Sequence, residues 1–520
     1  MRRWGRLLAM LVVVTLLMPR MAWASDEITA KEQLNRPGTT IGISTGDIAE
    51  RTINAELPQA TVEYFDDKFM GYEAVAQGKI DAFAYDQRQM QLSIEAGQKG
   101  VRLLDETLDK PTVIAIGISG CSHFPHWEQT INQFVADLHA DGTLDDMYQR
   151  WVIENQETMP QLDLPEHPSE HLVVATSGIV PPYSYYAGDE LRGYDIELAY
   201  RLAQRLDADV EFMVMDYGAI FASASTGQSD CVMADLQVDD ERRESFTFSD
   251  PLFEERVGLL VRDASSAVGP AADGQDGSWL EGLASSFEKT FVREDRWQLF
   301  VKGILTTLLI TCLSALLGTL LGTLLGFALY LGTRRGGRVA RAITDACLWL
   351  VRGMPVIVLL MILYYVVLAR FKLSGTAVAI VGFALTVGAS VFGMLQMGVD
   401  AVDPGQYEAA AALGYSDRRT FFRIILPQAL PHVMPSFRQE MIELTKATSV
   451  VGYVTVQDLT KIGDIVRSRT YEAFFPLIAV TVIYFVLEGL LAWGLARVER
   501  RLDTRRRTPE DILKGVATRD

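Results

Sequence analysis

The sequence predicts a multidomain chain, an α/β half followed by an all-α membrane half, and three observations carry that prediction. Charge is divided unevenly: residues 25–296 hold 50 Asp and Glu against 20 Lys and Arg, while residues 297–520 hold 16 against 24. Charge-free apolar runs long enough to cross a bilayer appear only in the second half, at 303–333, 353–369, 374–399 and 473–496, the last interrupted by Glu488. In the first half, short apolar strands alternate with segments of helical period, as at 172–176, 196–206, 210–215, 220–226 and 231–234. An acidic exported part joined to a basic membrane part argues against nucleic acid as a partner.

Residues 1–24 have a basic start, an apolar run from Leu7 to Met18 and a small-residue end at Ala22-Trp23-Ala24. This is the pattern of a secretory signal peptide, and the run is short for an anchor. The compartment it implies is oxidising, so Cys121 and Cys231 could pair, although free, buried thiols are the expectation; no metal-ligand spacing exists among the four cysteines. Residues 25–154 and 170–263 form the α/β half, separated by a Pro- and acid-rich linker at 155–169. A second linker, 264–296, leads to a membrane domain at 297–502, and 503–520 is a tail.

Counting a shorter, more polar run at 447–457 gives five spans. The basic loops at Arg334–Arg341 and Arg418–Arg423 and the tail from Arg497 are then all cytoplasmic, with the first half outside. Gly318, Gly322 and Gly326 lie at i, i+4, i+8 on the first span and predict close approach of another helix.

Between the spans, Glu408-Ala409-Ala410 is followed by Gly414 and by Ile424-x-Leu426-Pro427. The residues predict a short Ala-rich helix at 408–413, a turn at Gly414, and a second helix at 420–426 stopped by Pro427. This loop, 405–430, resembles the EAA loop of ABC-transporter permeases position for position. Arg352-Gly353-Met354-Pro355, Gly405-Gln406 and Glu443–Ser449 extend the resemblance to the permeases of the polar amino-acid uptake family, across nearly all of 295–502. The resemblance implies that Glu408, Ala409, Ala410, Gly414, Ile424, Leu426 and Pro427 couple to a cytoplasmic ATPase, and that the permease works as a dimer. That family commonly has a Glu and an Arg on the third span, where this chain has Gly393 and Gln396, so a site there does not carry over. No Gly-x-x-x-x-Gly-Lys-Ser/Thr loop is present, so no ATP-hydrolysing or other enzymatic activity is expected of this chain.

In the exported half, Pro181-Pro182-Tyr183, Gly193–Glu197, Met215-Asp216-Tyr217, Asp240-Glu241-Arg242 and Phe248–Pro251 resemble, in order, the first lobe of periplasmic amino-acid-binding proteins. Thr40–Gly46, Ile80–Asp86 and Trp127–Trp151 are similar to the second lobe and closing helices. The order is inverted, which one circularly permuted type II binding protein explains; two degenerate domains, or assembly between two chains, are the alternatives. The resemblance implies an amino-acid ligand with Arg242 on its carboxylate, Asp86 on its ammonium, and Tyr183 and Tyr217 as aromatic walls. Gly46, Asp47, Asp235 and Gln237 stand at other cleft positions, and acids at 47 and 235 would favour a basic or polar ligand over an acidic one. No metal or cofactor is called for. The reading is a receptor-fused permease of an ABC importer in the bacterial inner membrane; an amino-acid-gated channel or a membrane sensor are the competing classes.

Overall fold

The computed structural model describes residues 27–45, 47–65, 67–238, 240–263, 278–334, 338–371, 373–470, 472 and 474–502. The expected signal peptide at 1–24, the cleft residue Gly46, Asp239, the first part of the 264–296 linker and the tail at 503–520 lie outside the described residues.

Among the described residues sixteen strands build the α/β half: β1 (Thr40–Ser44), β2 (Thr61–Phe65), β3 (Ala82–Asp86), β4 (Val101–Leu103), β5 (Thr112–Ile114) and β6 (Gly117–Ile118) precede the linker. After it come β7 (Glu170–Thr176), β8 (Ile179–Val180), β9 (Ser184–Ala187), β10 (Glu190–Arg192) and β11 (Ala208–Val214). The last are β12 (Cys231–Val232), β13 (Gln237–Val238), β14 (Thr247–Phe248), β15 (Phe253–Glu255) and β16 (Val257–Arg262).

One five-stranded sheet runs β2-β1-β3-β16-β4 and the other β11-β7-β12-β6-β14, so each draws a strand from across the linker. In the first, β1 lies parallel to β2 and β3, whereas β16 is antiparallel to β3 and β4. Strand period two puts Leu259 and Val261 of β16 into one apolar layer, with Ile41, Ile43 and Ile53, and Leu260 into the opposite one, with Phe69, Tyr72 and Phe83. A sheet buried on both faces needs helices on both, and its strands accordingly read as apolar runs. In the other lobe the helix Trp127–Ala140 packs Ile131, Phe134 and Val135 into a core with Leu172, Val174, Leu198 and Leu202. Strands β13, β5 and β15 pair antiparallel where the chain passes from one lobe to the other.

In the membrane half the helices Trp297–Ala328, Gly375–Asp400 and Phe475–Arg501 are long and apolar enough to cross a bilayer. Thr344–Gly353 and Val356–Val367 form a further pair, bent by 109°. Pro355 stands at the bend, where it caps the second helix and cannot continue the first. Gly318 and Gly322 meet the Gly375–Asp400 helix so closely that an added Cβ would lie 2.7 Å from Val387 and 2.6 Å from the Gly388 carbonyl oxygen, as the small-residue spacing predicts. The run at 447–457 is not a span: residues Thr448–Val454 form a 3₁₀ turn. The preceding helix, Leu426–Ala447, is 22 residues long but carries Pro431, Pro435 and several charged residues, so among the described residues three helices and one bent pair have the length and apolarity to cross, where five spans were expected.

The two halves share a core. Met215, Ala219 and Ile220 of the β7 lobe belong to one continuous apolar cluster with Leu360, Tyr365, Val378 and Val451 of the membrane half. Tyr365 donates its hydroxyl to the Tyr453 carbonyl and approaches the Ala219 carbonyl at 3.4 Å.

Candidate ligand-binding site

A cavity lies between the lobes, lined by Asp47, Asp67, Lys68 and Tyr85 from the β1 side and by Tyr217, Asp235 and Gln237 from the β7 side. Asp464 and Ser468, on the membrane-half helix Leu459–Thr470, line it as well.

Asp47 follows the turn after β1, and its Oδ1 accepts the Ala49 amide at 2.8 Å. Burial pushes its carboxyl up to about 6, against the pull of that amide and of the nearby Arg242 cation. Asp235 has a left-handed backbone (φ 53°) and is 7% exposed. Its Oδ2 accepts from Gln89 Nε2 at 2.8 Å, while its Oδ1 is buried without a hydrogen-bond partner among the described residues. Burial, reinforced by Asp86 and Asp195, holds its carboxyl well above the usual range. The Gln237 side chain accepts the Ile48 amide at 3.3 Å and is bonded to the Asp47 carboxyl; its backbone carbonyl takes Nη1 of Arg242 at 2.7 Å.

Tyr217 opens the helix Tyr217–Ser225, and burial raises its phenol to about 12, with the Arg242 guanidinium bonded to it. Arg242 also sits 5.5 Å from the Phe221 ring centre. The structure therefore brings Asp47, Tyr217, Asp235, Gln237 and Arg242 together, although Arg242 stands behind Tyr217 and Gln237 and is not among the cavity-lining side chains.

Two expected cleft residues are elsewhere. Tyr183 is fully buried in the β7 lobe: it stacks on Phe253 at 5.9 Å, meets Tyr194 edge-on, and donates its hydroxyl to Glu255. It is core: it ends the turn between β8 and β9, and its ring packs among buried side chains of the β7 lobe. Asp86 ends β3 and caps the helix Gln87–Glu95, accepting the Gln89 amide at 2.6 Å, with the Glu255 carboxyl as its other neighbour. Helix capping, not an ammonium, occupies it.

Lys68 is the residue the motifs did not single out. It is buried, donates to Gln89 Oε1 at 2.6 Å, and its Nζ lies 5.1 Å from the Tyr85 ring centre. Burial pushes its ammonium down to about 8, against Asp67, Asp235 and Asp86. Gln89 thus bridges a β1-lobe cation and a β7-lobe carboxylate. The four cysteines are unpaired; Cys231 is buried as expected, whereas Cys121, Cys312 and Cys347 are exposed.

On the opposite part of the membrane half, the helix Gly405–Ala412 leads into Gly414 at φ +73°, a conformation that disfavours any Cβ. Glu408, Ala409 and Gly414 are exposed, Ala410 is buried, and Leu413 stands 75% exposed at the tip. Ile424 and Leu426 are half-buried. Pro427 does not stop a helix: it lies in the first turn of Leu426–Ala447, where its missing N–H costs no intrahelical bond.

A two-lobed α/β clamp seated on a multi-pass helical domain is the arrangement of a membrane transport component with a receptor attached. Residues 318–504 match the family model described as the binding-protein-dependent transport system inner membrane component. A permease of Rickettsia bellii named for glutamine transport is 33% identical over 167 residues, 32% of this chain and 77% of that protein. The arginine transport system permease protein of Bacillus subtilis is 33% identical over 153 residues, 29% of this chain and 70% of its own length. Among solved structures, an amino acid ABC transporter crystallised with histidines is 30% identical, with a TM-score of 0.35, over 39% of this chain and 94% of the other. The chain belongs to the family of binding-protein-dependent transport system inner membrane components, and it is a multi-pass membrane protein.

Proposed function

We propose that this chain is the permease subunit of an ATP-driven amino-acid importer that carries its own, circularly permuted, substrate receptor. The observation that carries the reading is the cavity whose wall comes from both lobes, in a receptor that shares a continuous core with the membrane half. Names of the related permeases, given for glutamine and arginine transport, agree with an amino-acid ligand. Exchange of strands across the linker supports permutation over two separate domains, since neither segment owns either five-stranded sheet complete.

The receptor faces outward and the basic loops and tail inward. The exposed turn 405–430 docks in a separate ATPase, and two identical chains pair to enclose the path. Closure of the lobes on ligand is a population shift that the shared core transmits to the spans. Binding of radiolabelled L-amino acids to the full chain in nanodiscs, followed by uptake into proteoliposomes with an added ATPase subunit, tests this. Saturable binding and ATP-dependent accumulation are expected; ligand-gated ion current without accumulation would replace the importer by a channel.

A further inference from the structure

The helix Leu459–Thr470 belongs to the membrane half by sequence, and its apolar face does pack there: Ile462, Ile465 and Val466 form a core with Leu299, Phe300 and Val480. Its other face carries Lys461, Asp464, Arg467 and Ser468, at i, i+3, i+6 and i+7, one polar stripe of a helix. The two cations of this stripe meet the receptor. Lys461 Nζ lies 2.6 Å from Asp216 of the β7 lobe, and Arg467 lies 3.3 Å from Asp67 of the β1 lobe. Asp464, between those anchors and 3.4 Å from Arg467, and Ser468, one residue past Arg467, line the cavity.

The cavity wall is strongly acidic. Asp47, Asp67, Asp235 and Asp464 line it against Lys68, with Arg467 paired to Asp67 and Asp464 and Arg242 near Asp47 behind the wall. Asp235 adds an independent sign of a missing partner, because its buried Oδ1 has no hydrogen-bond partner among the described residues. A buried carboxyl oxygen without a partner costs free energy that a cationic donor, by favouring the ionised form, would recover.

We propose that the membrane half completes the receptor's ligand site, with Asp464 and Ser468 forming a wall that, together with Asp235, receives the cationic group of a basic amino acid. This rests on the receptor reading above. It makes the permease a determinant of selectivity and not only a conduit, and a ligand entering the cavity touches both lobes and the membrane half at once.

The test is calorimetric binding of L-arginine and L-glutamine to the full chain in nanodiscs, with wild type, Asp235→Asn, Asp464→Asn, and Asp464→Asn combined with Ser468→Asp. Asp464→Asn is expected to weaken L-arginine about tenfold or more, as loss of one partner of a buried charge pair does, and to leave L-glutamine within about threefold. The combined variant, which moves the carboxylate one turn along the same face, regains L-arginine affinity. Unchanged L-arginine affinity in Asp464→Asn overturns the proposal, while a loss in Asp235→Asn leaves the receptor reading standing. An equal loss for both amino acids marks a docking role and also overturns it, as does a wild-type preference for L-glutamine. Binding of neither amino acid, nor of any other, overturns both readings.

Discussion

Lys461 and Asp216 stand 2.6 Å apart, one on a helix of the membrane half and the other at the start of a receptor helix 245 residues earlier in the chain. Lys461 is only 3% exposed, whereas Asp216 is 29% exposed and also holds the Gly452 carbonyl through its amide at 3.3 Å. Breaking a buried pair typically costs about 3–5 kcal/mol, and the partial exposure of Asp216 brings the expected cost to about 1–3 kcal/mol. Lys461→Met should therefore lower the melting temperature of the full chain, and adding Asp216→Ala should lower it little further. Fully additive shifts would show that the two side chains do not act together.

The acids of the cavity make a pH prediction whose sign follows from burial. Asp47 is raised to about 6 in the folded chain from an ordinary 3.8. A raised carboxyl contributes stability that is present below the ordinary value and lost as pH climbs through the folded one. Asp47→Asn removes that loss, so its melting temperature relative to wild type should rise between pH 4 and pH 7. Comparing the two proteins cancels groups of opposite sign, such as Glu197, which Arg150 and Arg201 hold low despite its burial. A difference that is flat across this range counts against a buried, ionising Asp47.

Arg242 remains the candidate for the ligand carboxylate, although it now bonds Tyr217 and the Gln237 carbonyl. Arg242→Ala should weaken amino-acid binding by about 2–5 kcal/mol, the range for one partner of a buried charge pair. Because the guanidinium also braces Tyr217, a melting curve must accompany the titration. Near-unchanged affinity in a folded variant would remove Arg242 from the site.

Gly414→Val and Glu408→Lys should abolish uptake and leave ligand binding to the receptor intact. Gly414 has open space around it but a left-handed backbone, so valine is opposed by φ and not by neighbours, at about 1–2 kcal/mol. Glu408 is exposed and reverses only surface charge. Co-purification of an ATPase subunit is the direct measurement, and normal uptake by both variants would remove the coupling role.

Ordered motifs made the lobes and the 405–430 turn legible, because turns and strand ends must fall at fixed chain positions. Side-chain direction is set by packing, which is why Tyr183 entered a core and Asp86 became a helix cap despite matching motif positions. Lys68 escaped notice since Asp67-Lys68-Phe69 reads as an ordinary capped helix start; only the fold shows its ammonium buried between Gln89 and Tyr85. Asp464 and Ser468 had no local signal at all, for their role depends on contacts about 220–420 residues away along the chain.

Strand exchange gives the last prediction. Without residues 170–263 the first sheet loses β16, which sits between β3 and β4 and supplies Leu259, Leu260 and Val261 to both of its apolar layers. Without residues 28–151 the other sheet loses β6 from between β12 and β14, and with it the Trp127–Ala140 helix that covers its core. Removing an interior strand leaves unpaired backbone groups on both neighbours as well as exposed apolar surface. Expressed apart, each segment should lack a cooperative melt and bind no amino acid. Joined in the reverse order, with 170–263 first, they should fold, since permutation keeps every strand pair. Tight binding by residues 170–263 alone, or a cooperative melt of either segment, would show two self-sufficient domains and defeat the permuted reading.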